Sequence, residues 1–145
     1  MNFRRIEPKD YRDIHELNKK LGYQYEEEKV YDRIVSILET GSDIISVAED
    51  QGKVVGYMHG SPYETLYADK LFNIVAMVFS EEFEHNEDLA TQLFASFEKR
   101  VKLNGYTGIR MVADVERNKL YEFLIKKGFD SHRDLKHYLK YFDKD

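Results

Sequence analysis

The densest grouping of side chains able to draw in an ammonium and take its proton is Tyr63-Glu64-Thr65-Leu66-Tyr67-Ala68-Asp69, where two carboxylates alternate with two phenols. Glu64 or Asp69 could accept an amine proton directly or through water. An ordinary solvated loop has a similar composition, and the aromatics beside the charges leave the two readings level. Histidines stand at 15, 59, 85, 132 and 137. No two of them have metal-binding helical spacing or a matching ladder of carboxylates, so no metal site is expected. His59 falls on a strand and could act as a base, although a lone strand histidine is more often a satisfied polar residue. Glu26-Glu27-Glu28 opens a helix, where the dipole already favours acids. The chain has no Cys, which removes disulfides, thiolate metal sites and a cysteine nucleophile. It also lacks a GxSxG elbow, a Walker loop and a paired-carboxylate glycosidase signature.

The elements that must position these groups follow from hydrophobic periodicity. Phe3 to Glu7 reads as a strand stopped at Pro8, with Asp10 placed to cap a helix carrying Tyr11, Ile14, Leu17 and Leu21. Val30, Ile34, Ile37 and Leu38 share the face of a second helix, closed by Thr40-Gly41. Ile45 to Glu49, the turn Asp50-Gln51-Gly52 and Lys53 to Gly60 form a hairpin signature, with Ser61 to Asp69 as the loop after it. Leu71 to Phe79 is apolar at nearly every position, which suits a central strand covered on both faces. Leu89, Leu93, Phe97 and Val101 recur every four residues, widened by Ala90 and Phe94, as a third helix. Gly108 to Ala113 is a strand, Asn118 to Lys127 a helix ended by Gly128, and Lys136 to Phe142 a terminal strand with Phe129 to Arg133 beside it. Helices interspersed with strands around a central hairpin predict an α+β fold with helices on both faces of a mixed sheet.

At 145 residues, with no low-complexity tract, repeat or linker, one domain spanning 1–145 is expected. Lys and Arg total 22 against 27 Asp and Glu, a net charge of -5, which is the wrong sign for a nucleic-acid binder and suits a cationic small molecule better. No apolar stretch approaches the length of a membrane span, and the start has no signal-peptide core, so a cytoplasmic protein without a membrane partner is expected.

The hairpin Ile45 to Glu49 with Val54-Val55-Gly56-Tyr57, the long apolar strand ending at Phe79, the helix from Asp88 and Lys127-Gly128-Phe129 together resemble the GNAT N-acetyltransferase superfamily. Its members move an acetyl group from acetyl-CoA to an amine. The resemblance covers essentially the whole chain and implies a mostly antiparallel sheet of six to seven strands flanked by about four helices. It implies that Met77, Val78 and Phe79 hold the pantetheine arm and thioester carbonyl where the strand splays from its neighbour, with amides near Val78 polarising the carbonyl. The diphosphate would lie on amides of His85, Asn86, Glu87, Asp88, Leu89, Ala90 and Thr91, using the positive end of the helix. Arg117 and Leu124 fall among the implied cofactor contacts. Glu64 and Tyr121 are the implied catalytic groups, Tyr63, Tyr67 and Asp69 the implied contacts to a small-molecule amine, and a homodimer is compatible with the family.

Two features depart from the family pattern. All eight Gly lie outside residues 61–104, so the phosphate segment has none, and Glu81, Glu82, Glu84, Glu87 and Asp88 bring like charge to it. Asp88 could instead be the helix cap, competing for the same amides. In the last helix, the position where many members carry an acidic tyrosine is Leu124, with Tyr121 three residues earlier on roughly the same face. The leading expectation is therefore direct acetyl transfer to a small amine. The competing one is a non-catalytic GNAT-like binding or regulatory module with weakened or lost acetyl-CoA binding.

Overall fold

The computed structural model describes residues 1–113 and 118–142. The chain divides into two compact units, Met1–Met111 and Val112–Asp145. The first unit runs β1 (Asn2–Arg5), α1 (Tyr11–Lys20), α2 (Glu27–Thr40), β2 (Ile44–Asp50), β3 (Lys53–Tyr63), β4 (Leu71–Phe79), α3 (Glu87–Leu103) and β5 (Ile109–Met111), and the second contains α4 (Asn118–Lys126). The strands lie side by side in chain order. Neighbours are antiparallel except β4 and β5, whose parallel pairing requires the α3 crossover.

Alternation along the strands assigns each residue to a face. Ile45, Val47, Tyr57 and Val78 join Ile14 and Leu17 of α1 and Val30 and Ile34 of α2 in one apolar cluster. On the other face α3 lays Phe97 against Phe72, ring centroids 5.9 Å apart, and Arg100 donates to the Ile45 carbonyl at 3.2 Å and to Ser46 Oγ at 2.9 Å. Gly60 permits that approach, because a Cβ there would stand 2.5 Å from Phe97 and 2.7 Å from Phe72. The hairpin turn pairs Asp50 with Lys53, and Gln51 and Gly52 take φ of 50° and 81°, the left-handed pair that matches strand twist in a two-residue loop.

At the start of the chain, the buried Asp10 carboxylate accepts two bonds from the Arg4 guanidinium, at 2.9 and 2.8 Å, and one from the Glu7 amide at 2.8 Å. Arg4 also reaches Glu49 on β2 at 3.2 Å. These contacts raise the Arg4 pKa above its ordinary value, with the Asp10 hydrogen bond as the largest cause. Asp10 stands at the α1 N-cap position with no side-chain bond to the helix; its carboxylate serves Arg4 and the preceding turn instead. In the second unit, α4 closes as its sequence implies: Gly128 has φ 93°, its amide donates to Ile125 and that of Phe129 to Leu124, a Schellman arrangement.

The sheet departs from the expected six to seven strands, having five among the described residues. Residues 129–133 and 136–142, expected as strands, are not strands, and Tyr138, Leu139, Tyr141 and Phe142 are exposed. Aromatic residues favour a strand only where a partner ladder and a half-buried face exist, and among the described residues no strand pairs with this segment. β3 also runs three residues past its expected end, through Pro62 to Tyr63. β2 reaches only to the partner of Gly60, so Pro62 sits where one side of β3 is an edge and its missing N–H costs no ladder bond.

Candidate active site

β4 changes partners along its length. Phe72, Asn73 and Ile74 pair with Ile109, Arg110 and Met111 of β5, and the pairing then stops. On the β3 side, His59 opposes Ala76 and Gly60 opposes Ile74, so Val75 has no partner residue and forms a bulge, which bends a strand and increases its twist. Past that point, among the described residues, β4 pairs for four more residues with β3 only. The Ser80 amide donates to Val55 O at 2.8 Å, so the residues in step with it, Val78 and Ala76, bond back to β3, while Met77 and Phe79 turn their N–H and C=O groups away from β3. The Val78 amide thus belongs to the β3 ladder, and the amides beside it that face away from β3 are those of Met77 and Phe79.

β4 leads directly toward the N-terminus of α3. A short turn over Glu81–Phe83 brings the chain to Asn86, whose side-chain oxygen accepts the Leu89 N–H at 3.0 Å and whose carbonyl accepts the Ala90 N–H at 3.1 Å. Asn86, not Asp88, is thus the helix cap, and Asp88 is an exposed residue of the first turn. Both types cap well, which is why sequence alone leaves the start of this helix ambiguous by two residues. Of the amides expected to meet a diphosphate, those of Asn86, Leu89 and Ala90 already have partners, the first on the Phe83 carbonyl at 3.0 Å. The acidic side chains are exposed, and Glu84 is paired with Lys20 at the end of α1 and with His85 at 3.3 Å.

The segment with the proposed acceptor groups lies at the other end of β4. Tyr63 pairs with Leu71, while Glu64, Tyr67 and Asp69 follow in an exposed connection. Leu71 and Phe79 are the two ends of a nine-residue strand, roughly 26 Å apart at strand rise. The structure thus does not bring Glu64, Tyr67 and Asp69 together with His85 to Thr91; the Val75 bulge lies midway. The Arg110 guanidinium covers the Tyr63 ring at 4.3 Å and donates to Asn73 at 2.8 Å. Burial, followed by the Glu64 charge, raises the Tyr106 hydroxyl above its ordinary pKa. Leu124 is half-buried on α4. Arg117 lies outside the described residues, as does the Tyr121 side chain. Among the described residues no group of three or more acidic, His or Cys side chains could hold a metal ion, and no helix is long and apolar enough to cross a membrane.

Two contacts on the α1/α2 face were not foreseen. The Tyr57 hydroxyl donates to Asn18 Oδ1 at 2.5 Å, and burial pushes its pKa up to about 12. Two residues along the same strand, His59 Nε2 lies 2.8 Å from Asp43 Oδ2, each side chain about one-fifth exposed at 21% and 20%. His59 is visible in the sequence as a strand histidine. Its partner is not, because Asp43 meets it only through the register that sets Ile45 opposite His59.

No family model and no curated protein matches the sequence. Solved structures do match its fold. The aminoglycoside acetyltransferase AAC(6')-Iy, in complex with the bisubstrate analogue CoA-S-monomethyl-acetylneamine, aligns with a TM-score of 0.81 and 15% identity over 97% of each chain. The glucosamine-6-phosphate N-acetyltransferase of Arabidopsis thaliana aligns at 0.79 and 23% identity over 98% of each. A GNAT family acetyltransferase of Staphylococcus aureus aligns at 0.78 and 16% identity, covering 96% of this chain and 98% of its own. The chain has the GNAT acetyltransferase fold.

Proposed function

We propose that this protein is an acetyl-CoA-dependent N-acetyltransferase that passes the acetyl group directly to a small amine. The observation that carries the reading is β4: it leaves β5 after Ile74, bulges at Val75, turns the Met77 and Phe79 amides outward and ends beside the α3 N-terminus. Such a strand offers donors that lie outside its ladder to a pantetheine amide and a thioester carbonyl, and a helix end to a diphosphate. Solved structures of the same fold include complexes with CoA and with a CoA conjugate, which supports the same donor here. The net charge of -5 suits an acceptor carrying an ammonium group.

A second reading rests on the Asn86 cap. With Leu89 N–H occupied and no Gly between residues 61 and 104, the same fold could bind a partner or ligand after losing cofactor chemistry. Incubating the protein with acetyl-CoA and a set of small primary amines separates the readings. Transfer predicts release of CoA thiol with an acetylated amine in the mass spectrum. Absence of both across the set would favour the binding module.

A further inference from the structure

His59 is set at the middle of β4 by register. It opposes Ala76, the residue after the Val75 bulge, and alternation places it on the face shared by Tyr57, Val78 and the helices α1 and α2. Opposed residues on one face stand about 4.5–5.5 Å apart at Cβ, and Ala76 offers only a methyl group. The ring thus stands beside the point where β4 frees its outward backbone groups, whereas Glu64 lies beyond the end of the strand. A carboxylate can only accept, so in the neutral ring the Asp43 contact at 2.8 Å places the proton on Nε2 and leaves Nδ1 as the lone-pair nitrogen. Asp43 immediately precedes β2 and His59 lies on the neighbouring strand β3, and they meet with both side chains largely covered, an arrangement that holds the imidazole in one tautomer.

Building on the acyltransferase reading, we propose that His59 Nδ1 accepts the proton of the attacking amine and that Asp43 positions the ring. In this step the amine nitrogen forms a bond to the acetyl carbonyl carbon and the C–S bond breaks. The amine proton passes through a bridging water to Nδ1, and the CoA thiolate takes a proton from solvent. His59 then returns its proton to solvent, and Asp43 is unchanged.

The test uses the full chain, with benzylamine as acceptor and thiol release as the readout, alongside calorimetric titration with acetyl-CoA. His59→Ala should lower kcat/KM about 100-fold, the scale of a lost general base, with acetyl-CoA affinity unchanged, and free imidazole should restore part of the rate. His59→Gln should match His59→Ala in a fold that melts like the parent. In the wild type the imidazole nitrogen resonances should report the Nε2–H tautomer, and Asp43→Asn should lower kcat and abolish that signature. A His59→Ala protein with wild-type kcat/KM, a loss that imidazole fails to restore, or a wild type with the opposite tautomer would overturn the assignment. So would a wild type that binds acetyl-CoA yet releases no thiol to benzylamine. A wild type that fails to bind acetyl-CoA overturns the acyltransferase reading first, and this outcome is distinguishable from the others by the titration alone.

Discussion

Asn86 controls how much of the α3 terminus an anion can reach, since its side chain already accepts the Leu89 N–H. Replacing an asparagine cap by glycine costs a helix only a few tenths of a kcal/mol and returns that amide to an incoming diphosphate. Asn86→Gly should therefore tighten acetyl-CoA binding several-fold with little change in melting temperature; weaker binding would show that the cap is needed to hold the loop. Asp88 lies in the first turn without capping it, so Asp88→Gly acts only through the removed charge and should have the smaller effect. The Arg4 cluster yields a second test. Hydrogen bonds from Arg4, then Asn2, hold the Glu49 carboxyl below its ordinary pKa. A depressed carboxylate adds stability that is fully present above its unfolded pKa and is lost as pH falls through the folded value. Glu49→Gln should thus lower stability at neutral pH and flatten its decline on the acid side, as read by thermal melts across that range. None of these partnerships is visible in the sequence, because Arg4, Asp10 and Glu49 meet only once β1 has paired with β2.

Strands and helices were far more legible than their partners. The four-residue recurrence from Leu89 to Val101 fixes α3, and Asp50-Gln51-Gly52 fixes the hairpin, because each signal is contained within one element. The Val75 bulge is invisible by the same logic: Leu71 to Phe79 reads as an unbroken apolar run, and only the register against His59 and Gly60 reveals the extra residue. The strands expected over Phe129 to Arg133 and Lys136 to Phe142 are not found among the described residues, where no strand pairs with that segment. At this scale the critical contact is between β3 and α3. Gly60→Ala would push a methyl group into Phe72 and Phe97, both fully buried. Overpacking of this kind costs about 1–3 kcal/mol, so the urea midpoint should fall with an unchanged slope. A midpoint equal to the parent's would mean that the two rings can yield.

For the whole molecule, fold and chemistry separate cleanly. The GNAT fold was legible from the order of elements and the hairpin motif. The phosphate segment was legible only as a departure, a glycine-free and acidic stretch, and its geometry shows a capped helix with Glu84 tied to Lys20 of α1. Whether such a terminus still accepts a diphosphate decides between an acyltransferase and a binding module. Backbone amides and a helix dipole can hold phosphate without a glycine-rich sequence. Calorimetric titration of the full chain with acetyl-CoA measures this directly: the account predicts saturable binding of one molecule per chain in the micromolar range, and no heat of binding at millimolar acetyl-CoA would contradict it.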